Sequence, residues 1–255
     1  MKVMASARFV RLLVLGLWAV VSCAVAQPSG RIWGGEEASK DDFPFVASVR
    51  LDGSHVCGGS IIGSKSILTA AHCLQEKGQT VATDRLSVRV GSINQFSGGS
   101  LVYIASINLH PDYSGVKNDI AVLTLENTLV WTDRIRSINL ATNSEELPAV
   151  GASVTVAGWG EQLDSESAFK LNALSFNVDS AESCINAYSD ADDSIICLAH
   201  PLKKGSCYGD AGNGATFNNR LVGVNNFVVG ACGSRYPDVF ASVAHFAPWI
   251  QSVLA

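Results

Sequence analysis

The sequence predicts an all-β protein built from two small β-barrels or sandwiches and closed by one C-terminal helix. Short runs that alternate apolar and polar residues, or that are rich in β-branched residues, are typical of strands. Clusters of Gly, Asn, Asp and Ser separate these runs, as hairpin turns require, and almost no helical segments lie between them, which argues against parallel α/β units. The predicted strands are Phe45–Leu51, Ser60–Leu68, Leu86–Val90, Ala121–Leu125, Val154–Ala157 and Leu221–Val224.

The end of the chain predicts the helix, over about residues 246–255. Pro248 is expected in its first turn. One face then carries apolar residues at helical spacing, namely Phe246, Trp249, Ile250, Val253 and Leu254. The polar stretch Ala141–Ala149 is the best candidate for the connection between the two halves, which places one at about residues 32–140 and the other at about 150–245.

The start of the chain predicts export. Lys2, Arg8 and Arg11 precede an apolar run over residues 12–21, and the small residues at 24–26 follow it. A basic start, about ten apolar residues and an A-x-A site are typical of a secretory signal peptide. An anchoring helix is disfavoured because the run is shorter than the ~20 residues that a membrane span needs. We expect a signal peptide over residues 1–26, a short pro-segment over 27–31 and a secreted, extracellular protein.

The charge balance excludes several classes of partner. The chain has 255 residues, with 18 basic and 23 acidic side chains. Cleavage after Ala26 removes Lys2, Arg8 and Arg11, which leaves 15 basic against 23 acidic side chains and a net charge of −8. This balance, without a basic cluster, disfavours nucleic acid and anionic membranes as partners.

The cysteines agree with export. An even number in an oxidising compartment indicates three disulfides, and six cysteines alone allow about fifteen pairings. A metal site is not expected because the sequence has no C-x-x-C and no paired histidine spacing, and no cofactor is expected either. The six cysteines after the signal peptide are Cys57, Cys73, Cys184, Cys197, Cys207 and Cys232.

Three segments carry candidate catalytic residues. His72 lies near the end of the segment 68–73, Asp119 leads an apolar run, and residues 205–214 form a glycine-rich turn of sequence GSCYGDAGNG. Each alone would have an ordinary structural explanation. Their order along the chain, His, then Asp, then a Gly-Asp-x-Gly turn, is that of the chymotrypsin-type catalytic triad, and it differs from the order in subtilisin and the α/β-hydrolases.

With these residues the chain resembles the chymotrypsin-like (trypsin-like, S1-type) serine protease family from about Arg31 to Ala255. Further matches are Arg31–Gly35, Cys57–Ile61, Val156–Gly160 and the terminal helix. The resemblance implies two six-stranded antiparallel β-barrels. It also selects one disulfide pairing: Cys57–Cys73, Cys184–Cys197 and Cys207–Cys232.

The resemblance further implies an activation site at Arg31–Ile32. Cleavage there would free the Ile32 amine, which in the family enters the protein and pairs with the acid before the nucleophile, here Asp210. Such a pair makes sense as a folding device even without catalysis, because losing one member of a buried pair is costly. The main-chain N–H groups of Gly209 and Ala211 would line an oxyanion hole.

The residue at the family's nucleophile position is Ala211 instead of serine. The reaction needs a hydroxyl to attack the peptide carbonyl, so we expect no proteolysis and interpret His72 and Asp119 as a surviving hydrogen-bonded pair. An engineered Ser→Ala change is one alternative, but the departures around the cleft are wider than one residue. Substitution by the hydroxyl of Ser206 or Thr216 is disfavoured because the histidine and the oxyanion hole are aimed at one turn.

Further departures surround the expected specificity pocket. Asn213 replaces the family's second glycine after the nucleophile, Gly205 stands at a floor that is acidic in trypsin-like members, and Asp238 replaces a pocket-wall glycine. Asn225-Asn226-Phe227 replaces Ser-Trp-Gly, so we expect Phe227 to fill the pocket mouth. These loops, together with Tyr208, offer aromatic and amide groups to a protein partner, with core packing of Phe227 as the alternative.

A natural pseudoprotease must act by recognition. Among secreted non-catalytic relatives, the chain resembles the glucanase inhibitor proteins of plant-pathogenic oomycetes. That resemblance implies a virulence effector of the plant apoplast that inhibits host endo-β-1,3-glucanases and suppresses the release of defence-eliciting oligosaccharides. We expect a monomer before complex formation. The alternative is a non-catalytic homologue that acts as a cofactor or binding protein in a proteolytic cascade.

Overall fold

The structure, a computed structural model, describes residues 34–161 and 169–254. The predicted signal peptide, the pro-segment and Ile32 lie outside the described residues. Within them the chain forms strands and two α-helices: β1 (Glu36–Glu37), β2 (Val46–Leu51), β3 (Ser54–Gly63), β4 (Ser66–Thr69), β5 (Gln75–Glu76), β6 (Gln79–Thr80), β7 (Leu86–Val90), β8 (Ser100–Leu109), β9 (Ala121–Leu125), β10 (Asn139–Leu140), β11 (Ser153–Gly158), β12 (Asn172–Val178), α1 (Ala181–Ala187), β13 (Ile195–Ala199), β14 (Gly214–Phe217), β15 (Arg220–Phe227), β16 (Asp238–Ser242) and α2 (Val243–Leu254).

Six strands of the N-terminal half close into an antiparallel barrel in the order β2-β3-β4-β9-β8-β7. Leu86, Val88 and Val90 alternate along β7, and all three are buried in the barrel's core with Ile67 and Leu123. Ile67 and Leu123 face each other across the β4–β9 pair. The alternating apolar residues of the sequence therefore point into the barrel and form its interior. Burial of these side chains drives folding.

The C-terminal half forms a second barrel in the order β12-β11-β14-β15-β16-β13, closed by pairing of β12 with β13. Each of its six strands contributes a buried side chain to one core: Val156, Phe176, Leu198, Ala215, Val222 and Phe240. The fold class predicted from the sequence is confirmed, with the short β10 adding a parallel pairing to β15.

A third apolar cluster joins the two barrels behind the candidate site. Leu68 and Ile120 of the first barrel pack with Val224 of the second and with Phe246 and Ile250 of α2. Leu68 lies four residues before His72, and Ile120 follows Asp119 directly. This cluster therefore fixes the chain segments that carry the candidate residues.

The local structure corrects three predictions. The run Ser60–Leu68 is not one strand but a hairpin, since the polar residues between Gly63 and Ser66 turn the chain so that β3 pairs with β4. The sequence reading missed α1, whose seven residues are too few for a clear period; Ser180 caps it by accepting the N–H of Ser183. Helix α2 begins at Val243, so Pro248 lies inside the helix instead of in its first turn.

The three disulfides have the pairing that the family resemblance implied: Cys57–Cys73, Cys184–Cys197 and Cys207–Cys232. Among the described residues, no helix has the length and apolar character needed to cross a membrane.

Candidate functional site

His72 and Asp119 lie at the same end of the antiparallel β4–β9 pair in the first barrel. His72 lies in a single 3₁₀ turn (Ala71–Leu74) after β4, and Asp119 lies two residues before the start of β9. His72 Nδ1 lies 2.7 Å from Asp119 Oδ2, and the main-chain N–H of His72 donates to Oδ1 at 2.8 Å. The carboxylate is buried at 2% exposure, whereas the imidazole is 39% exposed. The acid therefore fixes the orientation of a ring that remains accessible.

Ala211 lies opposite this pair, in the loop between β13 and β14. Its carbonyl accepts the N–H of Gly58 at 2.7 Å, and its side chain packs against the core of the first barrel. Ala211 and His72 line the same open cavity of about 490 Å³. The structure thus brings together the three predicted triad positions with a methyl group at the third.

His55 is a site residue that the sequence analysis did not single out. Its ring contacts the carbonyl of Gly209 through Nε2 (3.1 Å) and the hydroxyl of Ser48 through Nδ1 (2.8 Å), and it packs edge-on against Trp159. Burial lowers the pKa of His55 to about 4. A neutral imidazole that donates from Nε2 therefore braces the loop next to Ala211.

Asp210 is the buried acid that precedes Ala211. Its Oδ1 accepts the N–H of Gly160 at 2.8 Å and the side-chain amide of Asn213 at 3.1 Å, and its Oδ2 accepts the N–H of Cys207 at 3.0 Å. Burial raises the pKa of Asp210 to about 7, although the hydrogen bonds oppose this shift. The expected partner of this acid, the Ile32 amine, lies outside the described residues.

The floor of the expected specificity pocket carries a buried acid and a buried histidine. A Cβ at Gly205 would lie 2.8 Å from Nε2 of His200, so the histidine ring occupies the space next to this glycine. His200 Nε2 lies 3.2 Å from Oδ1 of Asp238, and the other carboxylate oxygen accepts the N–H of Ser206 at 2.7 Å. Burial alone would lower the pKa of His200, but the hydrogen bond and charge of Asp238 outweigh it and raise that pKa.

Asn225 connects this floor to the open cavity. Its side-chain amide donates to the hydroxyl of Ser206, and its main chain pairs with Gly212 (2.7 Å) and Asn213 (2.8 Å). The Ser206 hydroxyl is therefore engaged by Asn225, and the Thr216 hydroxyl donates to the carbonyl of Thr155 at 3.1 Å. Both alternative hydroxyls thus serve as structural partners.

Phe227 does not fill the pocket mouth as expected. It packs edge-on against Tyr188, with ring centroids 5.2 Å apart, and against the cluster around the Cys184–Cys197 disulfide. Phe227 also borders the cavity of about 490 Å³ that Ala211 and His72 line. The contacts with Tyr188 and with the disulfide cluster fix the position of the Phe227 ring. These partners lie in distant segments of the chain, so the sequence alone did not reveal the contacts.

Asn226 and Tyr208 also line the groove, but they differ in their exposure to solvent. Asn226 is buried, and its side-chain nitrogen donates to the carbonyls of Asp119 (3.2 Å) and Val224 (2.9 Å). Tyr208 is 67% exposed at the rim. No Asp, Glu, Lys or Arg is found among the described residues that line this cavity.

One cluster near His72 has the composition of a metal site. An imidazole nitrogen and the sulfur atoms of Cys57 and Cys73 lie within 4.8 Å of one another. The two sulfurs are joined as a disulfide and offer no thiolate, so only His72 could act as a ligand.

Comparison with known proteins agrees with this architecture. The sequence model of the family described as Trypsin matches residues 32–250. Trypsin delta of Drosophila erecta is 37% identical over 251 residues, which cover 92% of this chain and 96% of that protein. Serine protease SP24D of Anopheles gambiae is also 37% identical, over 88% of this chain and 81% of its own.

A solved structure shows the same fold. The chain superposes on neuropsin, a serine protease expressed in the limbic system of mouse brain, with a TM-score of 0.78 at 24% identity, over 87% of this chain and 99% of that one. Together, the match to the family over most of the chain and the similarity to full-length insect trypsins show that this chain belongs to the trypsin family.

Proposed function

We propose that this protein is a secreted, non-catalytic member of the trypsin family that binds a host plant endo-β-1,3-glucanase and inhibits it. The observation that carries the first part is Ala211, which lines the same cavity as His72 in the place where the family's mechanism needs a hydroxyl. A methyl group cannot form an acyl bond with a peptide carbonyl, whatever base lies beside it.

The surroundings of Ala211 support a binding role. The groove keeps a volume of about 490 Å³ and is lined by apolar and amide side chains. Tyr208 stands exposed at its rim, and a rigid aromatic with a hydroxyl group is a common anchor of protein interfaces. A partner segment that enters this groove would contact these side chains without being cut.

The identity of the partner rests on the resemblance to the glucanase inhibitor proteins. Bound to an endo-β-1,3-glucanase in the apoplast, the protein would reduce the release of oligosaccharides that elicit plant defence. A role as cofactor in a proteolytic cascade is the alternative outcome of the experiment below.

The test is capture of a purified plant endo-β-1,3-glucanase by the mature protein, combined with measurement of β-1,3-glucan hydrolysis. We expect a complex and a loss of glucanase turnover that titrates with added protein. Failure to inhibit any of several glucanases would contradict the proposed partner, and enhanced processing by a protease would favour the cascade role.

A matched pair of variants locates the interface. Tyr208→Ala should weaken binding by ~30-fold or more if Tyr208 is an anchor of this interface. Val150 is equally exposed at 67% but does not line the groove, so Val150→Ala should leave binding unchanged. Equal affinities of the two variants would remove the groove from the interface.

A further inference from the structure

Asn213 makes an unusual contact within the loop that forms the groove. Its side chain is completely buried, and its Nδ2 donates to Oδ1 of Asp210 at 3.1 Å. The other two donors to this carboxylate are main-chain N–H groups, from Gly160 and Cys207. Asn213 therefore supplies the side-chain donor that a substitution can remove without altering the main chain.

Two glycines make room for this side chain at the junction of the barrels. A Cβ on Gly58, in β3 of the first barrel, would fall 1.8 Å from Oδ1 of Asn213. A Cβ on Gly158, in β11 of the second barrel, would fall 2.0 Å from Nδ2. Neither position could carry a side chain without displacing Asn213, so the asparagine and the two glycines form one fitted set.

The carboxylate of Asp210 needs such donors. Removing a charged group from water is costly unless hydrogen bonds or an opposite charge compensate, and a hydrogen bond to a charged group is worth more than one between neutral groups. Asp210 also feels the negative charge of Asp238. With fewer donors the carboxyl would bind a proton more readily, and the contacts that tie its segment to Gly160 would weaken. Gly209 and Ala211, which line the groove, flank Asp210 in this segment.

We propose that Asn213 is a positioning residue whose amide holds Asp210, and through it the groove-lining loop over residues 205–212, in place without cleavage at Arg31–Ile32. The uncut chain then already presents the groove. The relevance of this device to partner binding rests on the proposed function, but the positioning itself can be measured without any partner.

The side chain of Asn213 combines a favourable contact with an unfavourable one. Oδ1 of Asn213 has no hydrogen-bond partner among the residues that the structure describes. Such a buried acceptor is itself costly, so replacing Asn213 removes a favourable contact and an unfavourable one together. Global stability is therefore a poor readout, and the opening of the loop and the titration of Asp210 are the direct ones.

The experiment uses the full mature chain with Arg31→Gln, which cannot be cut at this bond. Hydrogen exchange of the Gly160 and Cys207 amides reports the opening of their contacts with Asp210, and NMR of the carboxyl carbon reports its titration. We expect protected amides in the uncut protein. Asn213→Gly and Asn213→Ala should speed their exchange by about tenfold, the equivalent of one hydrogen bond to a charged group, and should raise the pKa of Asp210 further.

Two controls separate positioning from packing. Thr216→Val removes a hydrogen bond elsewhere in the second barrel and should change neither readout. In an Asp210→Asn background, Asn213→Gly should no longer speed exchange. The proposal is overturned if the uncut protein lacks protection at these amides, if Asn213 variants leave exchange and titration unchanged, or if their effect persists undiminished with Asp210→Asn.

Discussion

The two sides of the candidate site differ in what their polar residues contact. On the side of the first barrel, Asp119 is buried and His72 is exposed, and the two make a pair of short hydrogen bonds that leave the imidazole facing an open cavity. On the side of the second barrel, Asp210 and Asp238 are both buried and find their partners inside the protein.

This difference coincides with the positions at which the chain departs from the family pattern. Where the chain departs from the family pattern, each departing residue contacts a neighbour inside the protein: Gly205 and Asp238 lie beside His200, Asn225 bonds Ser206, and Asn213 bonds Asp210. The second side is a packed structure in which these hydrogen bonds hold the loop beside the groove, while Oδ1 of Asn213 is left without a partner among the described residues.

The largest expected effect comes from restoring the missing hydroxyl. In Ala211→Ser, the oxygen would face a histidine whose orientation Asp119 already fixes. We expect covalent labelling by a serine-directed organophosphorus probe on the order of 10³-fold faster than in the wild type, read by intact mass. The double variant Ala211→Ser/Asp119→Asn should lose this reactivity. Equal labelling of all three proteins would contradict an intact His72–Asp119 pair.

The next effect concerns the buried pair on the second side. His200→Leu would leave the carboxylate of Asp238 buried without its partner and should lower the free energy of unfolding by ~3–5 kcal/mol. Because the folded pKa of His200 is raised, its stabilisation is fully present below the unfolded pKa of ~6.5 and is lost as pH rises through the folded value.

Denaturant unfolding at several pH values checks this prediction. His110→Leu serves as a control, since that histidine packs on Phe246 and Trp249 and accepts the N–H of Asp112. We expect the free energy of unfolding to fall in His200→Leu and not in His110→Leu, and we expect this fall to be largest at acid pH. Equal losses for both variants would show that the His200–Asp238 contact contributes nothing specific.

A third prediction follows from Asp210, whose pKa is raised to about 7 in the folded protein. Folded Asp210 binds a proton more readily than the unfolded chain does, so its ionisation costs stability as pH rises from ~4 to ~7. Relative to Asp210→Asn, the wild type should lose on the order of 3 kcal/mol across this range. A pH-independent difference would mean that Asp210 is ionised throughout and held by stronger donors.

The smallest effect is expected on the first side. His72→Ala removes a half-exposed imidazole, but Asp119 keeps its hydrogen bond from the main-chain N–H of residue 72. The free energy of unfolding should therefore change by less than ~1 kcal/mol. A loss comparable to that of His200→Leu would erase the contrast between the two sides.

The sequence was informative wherever a local pattern sufficed. The strands Leu86–Val90 and Ala121–Leu125 have the predicted bounds, since the first alternates regularly and the second is a short run of mostly apolar residues. Motifs in chain order also placed His72 and Ala211 at one cavity, with Asp119 bonded to His72. The roles of His55 and His200 were missed, since each is a lone histidine whose partners come from distant segments. Phe227 was misplaced for the same reason: Tyr188, which holds it back, lies in another part of the chain.

The claim that this groove recognises without reacting is tested most directly by incubating the purified mature protein with a diverse peptide library and analysing the products by mass spectrometry. We predict no cleavage by the wild type at any position, beside measurable cleavage or probe labelling by Ala211→Ser. Sustained multiple-turnover hydrolysis by the wild-type chain would contradict the account.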